Sequence, residues 1–295
     1  MSGVPDVMRL SAARAAVRLA LSEDLGPSRC DATSEALVDP QAVATGEIYA
    51  KGTGCVVAGA TVAAAVLHAV DPKVRVKILK RDGTSVKPQE PILVFRGRAR
   101  SILAAERTAL NFMQRMSATA TLAKRFVDAT RRYGTLILDT RKTTPGLRVF
   151  EKYAVRCGGG TNHRFGLYDR ILMKDNHRRL WRGGDPDQLD AAVVAARRAF
   201  PKLAVEVEVE SLRECASALK ARPEWIMLDN MSCADMRKCV KLCRGKAKTE
   251  ASGGITLDRA RAVAATGVTA ISLGCLTHSA GAVDLSLEWR VDGTR

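Results

Sequence analysis

Residues 136–274 constrain the fold most, because short apolar runs alternate there with amphipathic stretches. Leu136 to Thr140, Ile171 to Lys174, Ala204 to Glu210, Trp225 to Asp229, Lys248 to Ser252 and Ala270 to Gly274 read as strands. Segments 147–157, 186–200, 211–221, 233–243 and 256–266 read as the helices between them. Repeated βα units need right-handed crossovers and a parallel sheet, either doubly wound or closed into a barrel. Periodicity does not separate those two.

The preceding residues read differently. A helix over 8–22 meets a stop at Glu23-Asp24-Leu25-Gly26-Pro27. Ala44 to Lys51, Val74 to Leu79 and Pro91 to Gly97 have strand character, and Ala58 to Val70 reads as an Ala-rich helix. A long helical pattern from Ser101 to Tyr133 carries a potential interruption at Ser117 to Thr119. A small sheet mixed with helices predicts an α+β domain.

Composition narrows the function classes. Of 295 residues, 46% are hydrophobic and 26% charged, which excludes disorder and low-complexity architectures. Lys and Arg number 47 against 31 Asp and Glu, a formal charge of +16. Aromatics are only 4% and the basic residues are spread along the chain, which does not make a nucleic-acid footprint. Small anionic substrates, or a generally cationic surface, fit better. The Ala-rich N-terminal stretch is broken by Arg9, Arg14 and Arg18, and no run reaches membrane-spanning length, so the expectation is a cytoplasmic protein with no membrane contact. Eight cysteines lie scattered without a CxxC pair. Cys239 and Cys243, with Cys233 nearby, could share a helical face as metal ligands, but buried thiols acting as small hydrophobes are the better reading.

Chemistry concentrates where each strand ends. Leu136-Ile137-Leu138 runs into Asp139-Thr140-Arg141-Lys142, and Ile171-Leu172-Met173 into Lys174-Asp175-Asn176-His177. Ile226-Met227-Leu228 ends in Asp229-Asn230, Lys248-Thr249-Glu250 leads to Ser252-Gly253-Gly254, and Ile271-Ser272-Leu273 ends at Gly274. Parallel α/β sheets build their sites at these ends. Arg141, Lys142, Arg164 and Lys174, joined by His163, would crowd positive charge into one cavity, which needs anions to pair with it. Ser252-Gly253-Gly254, entering a helix, suits a phosphate. Glu208 and Asp229 could serve ribose hydroxyls or a Mg²⁺ bound partly through water and substrate phosphates, or simply neutralise nearby cations. Glu206 and Glu210 lie in phase with Glu208, so one strand face carries carboxylates. No P-loop, G-x-S-x-G elbow or HExxH motif occurs.

These residues are specific enough to carry a family resemblance. Ala105-Glu106-Arg107-Thr108-Ala109-Leu110-Asn111-Phe112, Asp139-Thr140-Arg141-Lys142-Thr143-Thr144-Pro145-Gly146-Leu147-Arg148, Gly158-Gly159-Gly160-Thr161-Asn162-His163-Arg164, Lys174-Asp175-Asn176-His177, Leu228-Asp229-Asn230-Met231 and Ser252-Gly253-Gly254 resemble the quinolinate phosphoribosyltransferases in order, over nearly the whole chain. The resemblance implies a type II phosphoribosyltransferase with an N-terminal α/β sandwich over 1–115, rejoined by the tail 276–295, and an incomplete, open α/β barrel over 116–275. It implies phosphoribosyl transfer from phosphoribosyl pyrophosphate to quinolinate with decarboxylation and Mg²⁺. It also implies a homodimer, sometimes assembled further, whose active site is shared across the interface.

By the same resemblance Arg107 reaches into the neighbouring site. Arg141, His163, Arg164 and Lys174, with Thr140 and Lys142, surround quinolinate. Glu208 and Asp229 lie near the ribose and Mg²⁺, and Ser252, Gly253, Gly254, Ser272, Leu273 and Gly274 hold the 5′-phosphate. Lys142, Lys174, Glu208 and Asp229 form the catalytic group. The sequence departs from the family pattern at Arg29-Cys30-Asp31-Ala32-Thr33 and at Ser117-Ala118-Thr119-Ala120-Thr121, neither of which removes a charged candidate. A related protein found with molybdate transport genes shares several motifs but generally lacks the lysine matched here by Lys174. A catalytically silent nucleic-acid-binding barrel is the other alternative.

Overall fold

The structure, a computed structural model, describes residues 6–181, 185 and 188–291. The chain forms two compact units, one of residues 1–124, 143–159 and 275–295, the other of residues 125–142 and 160–274. No helix among the described residues is long and apolar enough to cross a membrane.

With elements numbered in chain order, the first unit contains α1 (Ser11–Leu25), α2 (Ala32–Leu37), β1 (Val43–Ala50), β2 (Cys55–Val56), α3 (Ala60–Val70), β3 (Arg75–Ile78), β4 (Ser85–Val86) and β5 (Pro91–Arg98). Most of α4 (Ala99–Thr130) follows, then α5 (Arg148–Cys157), α11 (Cys275–His278) and β12 (Leu285–Val291). Its main sheet is antiparallel in the order β12-β1-β5-β3. β12 runs along β1 from Ala44↔Val291 to Ala50↔Leu285, so the tail does return to this sheet. Ala13, Val17 and Leu21, four residues apart, bury one stripe of α1. That helix ends at Gly26, whose φ of 63° suits a glycine, so Glu23 and Asp24 belong to its last turn and not to a loop.

The interruption expected at Ser117 to Thr119 is absent, and α4 runs unbroken through it. Ser117 is wholly buried and its hydroxyl accepts from the Ala58 amide at 3.0 Å and donates to the Ala58 carbonyl at 3.1 Å. Thr121 Oγ1 donates to the Ser117 carbonyl and accepts from the Val56 amide. These small polar residues anchor the chain between β2 and α3 instead of breaking a helix.

The unit boundary also differs from a division after 115. Met116 and Ala120 belong to the core of the first unit, as do Val149, Phe150, Tyr153, Ala154 and Cys157 of α5. The Phe112 and Phe150 rings stand 4.9 Å apart, so apolar burial assigns 143–159 to this unit although it lies between barrel segments in the chain.

The second unit contains β6 (Leu136–Leu138), β7 (Ile171–Met173), α6 (Asp175–Arg179), α7 (Leu189–Ala199), β8 (Val205–Val209), α8 (Leu212–Leu219), β9 (Trp225–Asp229), α9 (Cys233–Cys243), β10 (Lys248–Ser252), α10 (Leu257–Ala264) and β11 (Ala270–Ser272). The expected start of α7 at 186 falls at residues outside those described. All strand pairs are parallel, in the order β6-β11-β10-β9-β8-β7. From β7 to β11 each strand lies beside its predecessor, and the last returns to β6. The order is therefore that of a ring lacking one β6–β7 seam, an open barrel. Beyond its ladder with β11, Leu138 forms a parallel bridge to Thr161. β8 is buried on both faces, with Val205, Val207 and Val209 on one and Glu206 and Glu208 on the other.

Cys239 and Cys243 of α9 are buried with Cys215 of α8, whose Sγ lies 3.6 Å from that of Cys243. They fill the helix contact as small hydrophobes, and Cys233 is only partly buried.

Candidate active site

The C-terminal strand ends of the second unit carry a continuous rim of polar side chains. β6 is followed by Asp139, which is wholly buried and accepts from the His163 amide at 2.9 Å and from Asn162 Nδ2 at 2.5 Å. Its own amide donates to the Thr161 carbonyl. These bonds fasten the loop 161–164 to the end of β6, where the ladder stops and the backbone needs other partners. Thr140 Oγ1 accepts from the Lys142 amide at 3.0 Å and turns the chain outward, leaving Lys142 exposed and Arg141 half-buried.

Arg164 is buried, and its Nη1 donates to the Arg170 carbonyl at 3.2 Å. Burial, followed by the charge of Arg141, lowers its hold on its proton. Two guanidiniums thus oppose each other at the rim, an arrangement relieved by a bound anion.

Just after β7, the Lys174 amide donates to His177 Nδ1, and the Lys174 ammonium pairs with Glu208 Oε2 at 2.6 Å. Asp229 ends β9 and accepts from the neighbouring Asn230 Nδ2 at 2.8 Å. The Asn230 amide donates to the Ser252 carbonyl, tying this end to the loop after β10. That loop needs its glycine: Gly253 has φ +97°, and a Cβ there would stand 2.1 Å from Asn230 Oδ1. Ser272 and Leu273 are buried, and the Leu273 amide donates to the Leu138 carbonyl, which extends the β11–β6 contact.

His163 points away from this rim. Its Nε2 lies 3.1 Å from Glu206 Oε2 and 3.4 Å from Glu250 Oε2, and both carboxylates are wholly buried. Arg170 Nη1 stands 3.2 Å from the same Glu206 oxygen. Burial opposes charge on the ring, whereas the two carboxylates favour it. Burial and the Glu206 charge raise Glu250, whereas a hydrogen bond from His163 and the Arg170 charge keep Glu206 ionised despite its burial. The Arg164 amide donates to His163 Nδ1 at 2.7 Å, so a proton on Nδ1 would displace that bond. We therefore place the cluster's extra proton on Glu250 and keep the ring neutral.

The second unit thus brings Thr140, Arg141, Lys142, His163, Arg164, Lys174, Glu208, Asp229, Ser252, Gly253, Gly254, Ser272, Leu273 and Gly274 to or beneath its strand ends. Arg107 belongs to the first unit, exposed on α4. Glu210 is exposed and outside the carboxylate face, because β8 ends at Val209. Asp139, Asn230, Glu206 and Glu250 also lie at or beneath these strand ends, and the sequence reading does not include them among the site residues. For Glu206 the alternation on β8 was a visible signal; for Glu250 nothing local was.

A ring of parallel strands with cations, carboxylates and a glycine loop at its C-terminal edge defines a class, the α/β-barrel enzymes that act on small anions. Family models for the quinolinate phosphoribosyl transferase N-terminal and C-terminal domains match residues 31–117 and 119–288. The chain belongs to that family. It is 42% identical to the nicotinate-nucleotide pyrophosphorylase [carboxylating] of Mycobacterium leprae (strain TN), covering 94% of this chain and 97% of that one. It is 41% identical to the probable enzyme of that name from Bacillus subtilis (strain 168), over 90% and 89%. The solved nicotinate-nucleotide pyrophosphorylase of Francisella tularensis superimposes with a TM-score of 0.88 at 38% identity, covering 95% of this chain and 96% of that one.

Proposed function

We propose that this protein transfers the phosphoribosyl group of phosphoribosyl pyrophosphate to quinolinate with loss of CO₂, giving nicotinate mononucleotide and pyrophosphate. The observation that carries the reading is the strand-end rim, where Arg141, Arg164 and Lys174 stand ready for a dicarboxylate and Ser252-Gly253-Gly254 for a phosphate. Lys174 is the distinguishing cation, since it serves a second carboxylate. A phosphoribosyl acceptor with a single carboxylate would leave it paired with Glu208.

The chemistry follows from charge. Departure of pyrophosphate leaves oxocarbenium character at the ribose anomeric carbon, and the ring nitrogen of quinolinate bonds to that carbon. The Glu208 and Asp229 carboxylates stabilise the developing positive charge. The carboxylate beside the ring nitrogen then leaves as CO₂. Its bonding pair remains on the ring carbon, next to a cationic nitrogen, and a proton completes the product. The protein binds and orients without a covalent intermediate. Hard carboxylate donors at Glu208 and Asp229 suit Mg²⁺ completed by substrate phosphates and water. Those residues would hold the ion, which would supply positive charge to neutralise the pyrophosphate.

The working molecule is a homodimer in the cytoplasm, with Arg107 of one chain reaching the site of the other. Further assembly is compatible with this. The deciding experiment incubates purified protein with quinolinate, phosphoribosyl pyrophosphate and Mg²⁺ and measures nicotinate mononucleotide and CO₂ in equal amounts. Turnover of free nicotinate in place of quinolinate would sink the assignment.

A further inference from the structure

We propose that Glu250, with Glu206, is a positioning residue: it fixes the His163 ring, and through that ring the backbone of Arg164, where a substrate carboxylate is bound. The inference rests on the quinolinate reading above but concerns groups beneath the rim. Glu206 and Glu250 come from β8 and β10, which flank β9. In ladder register Glu206 opposes Trp225, and Glu250 opposes Met227. The two carboxylates thus converge on Nε2 from separate strands and from different levels.

Both carboxylates are fully buried, which is costly unless each has a defined task and partner. Arg170 Nη1 meets the same Glu206 oxygen, and the Arg170 carbonyl accepts from the Arg164 guanidinium. The Arg164 backbone is held by His163 Nδ1 and its side chain by Arg170, and both holders converge on Glu206. Asp139 fixes the opposite end of the loop through the His163 amide. His163 accordingly acts on the site through Arg164. A protein dipole frame of this kind pre-organises a guanidinium so that no reorganisation is needed when the anion arrives.

His163, Glu206 and Glu250 also have the ligand types of a transition-metal site, so the test must separate the two. Glu250→Leu removes one of the two carboxylates facing Nε2, whereas Glu250→Gln keeps an oxygen there. The Leu variant should raise the quinolinate KM about tenfold or more while the phosphoribosyl pyrophosphate KM stays within about twofold, and the Gln variant should recover most of the loss. Equal rises in both KM values, or no rise, would overturn the proposal. If the Leu variant does not fold, ¹⁵N-histidine spectra of the wild type and the Gln variant decide: Nε2 should carry the proton and Nδ1 should accept. The reverse tautomer, or one bound transition-metal ion per chain lost in the Gln variant, would refute positioning. Wild-type protein that fails to consume quinolinate would refute the substrate reading, while its spectrum would still report on the ring.

Discussion

At the scale of single residues, the strand-end rim is held in place by buried side chains. Asp139 is wholly buried and satisfies two donors of the loop 161–164. Asp139→Ala leaves the His163 amide and the Asn162 side chain without an acceptor, which should cost about 1–3 kcal/mol of stability in urea unfolding. An unchanged midpoint would show that water replaces the carboxylate fully. Lys174 tests the substrate side instead. Its ammonium pairs with Glu208 in this structure, so Lys174→Ala frees a carboxylate and removes a cation for the incoming dicarboxylate. Loss of a charge-assisted bond of about 1.5–3 kcal/mol corresponds to roughly a ten- to hundredfold fall in kcat/KM for quinolinate. Steady-state kinetics would check it. The rim cations were legible in sequence because strand ends are where such residues gather. The direction of the His163 ring was not legible, because it depends on carboxylates supplied by two strands that are not neighbours.

Elements show the same division between local and tertiary information. β9 and α9 begin and end where the sequence places them, since a short apolar run and a Ser232 cap mark them locally. β6, β7 and β11 are shorter than expected, at three residues each, because the polar residues after them leave the ladder for loop bonds. The break expected in α4 fails for a tertiary reason: Ser117 and Thr121 spend their hydroxyls on the Ala58 and Val56 amides. The loop after β10 makes a prediction at this scale. Gly253→Ala places a side chain at φ +97° and against Asn230, a strain of order 1–3 kcal/mol. The phosphoribosyl pyrophosphate KM should rise well above wild type while that for quinolinate changes little. Parallel changes in both would argue against a phosphate role for this loop.

For the whole molecule, the excess of +16 has a kinetic consequence. Few of these cations lie on the rim, and the rest form a field that draws anions at low salt. Raising ionic strength from about 10 mM to about 150 mM shortens the screening length from about 30 Å to about 8 Å. It should therefore lower kcat/KM for both substrates more than kcat. A salt-independent kcat/KM would show that this field contributes nothing to capture. The proposed sharing of sites is also tested at this scale. Arg107→Ala and Lys174→Ala, each impaired alone, should give more activity when mixed as heterodimers than either shows by itself, and no gain on mixing would confine each site to one chain.

The path of β12 bears on how such a molecule is made. This strand pairs with β1, yet it follows every strand of the second unit in the chain. A ribosome that has already released residues 43–50 holds back their partner until about 240 further residues have been translated. Meanwhile that edge of β1 keeps its amides and carbonyls unpaired, in a state open to chaperones or to a like strand of another nascent chain. The first unit to emerge is therefore the last to be finished, and translation speed across the second unit sets how long its edge waits.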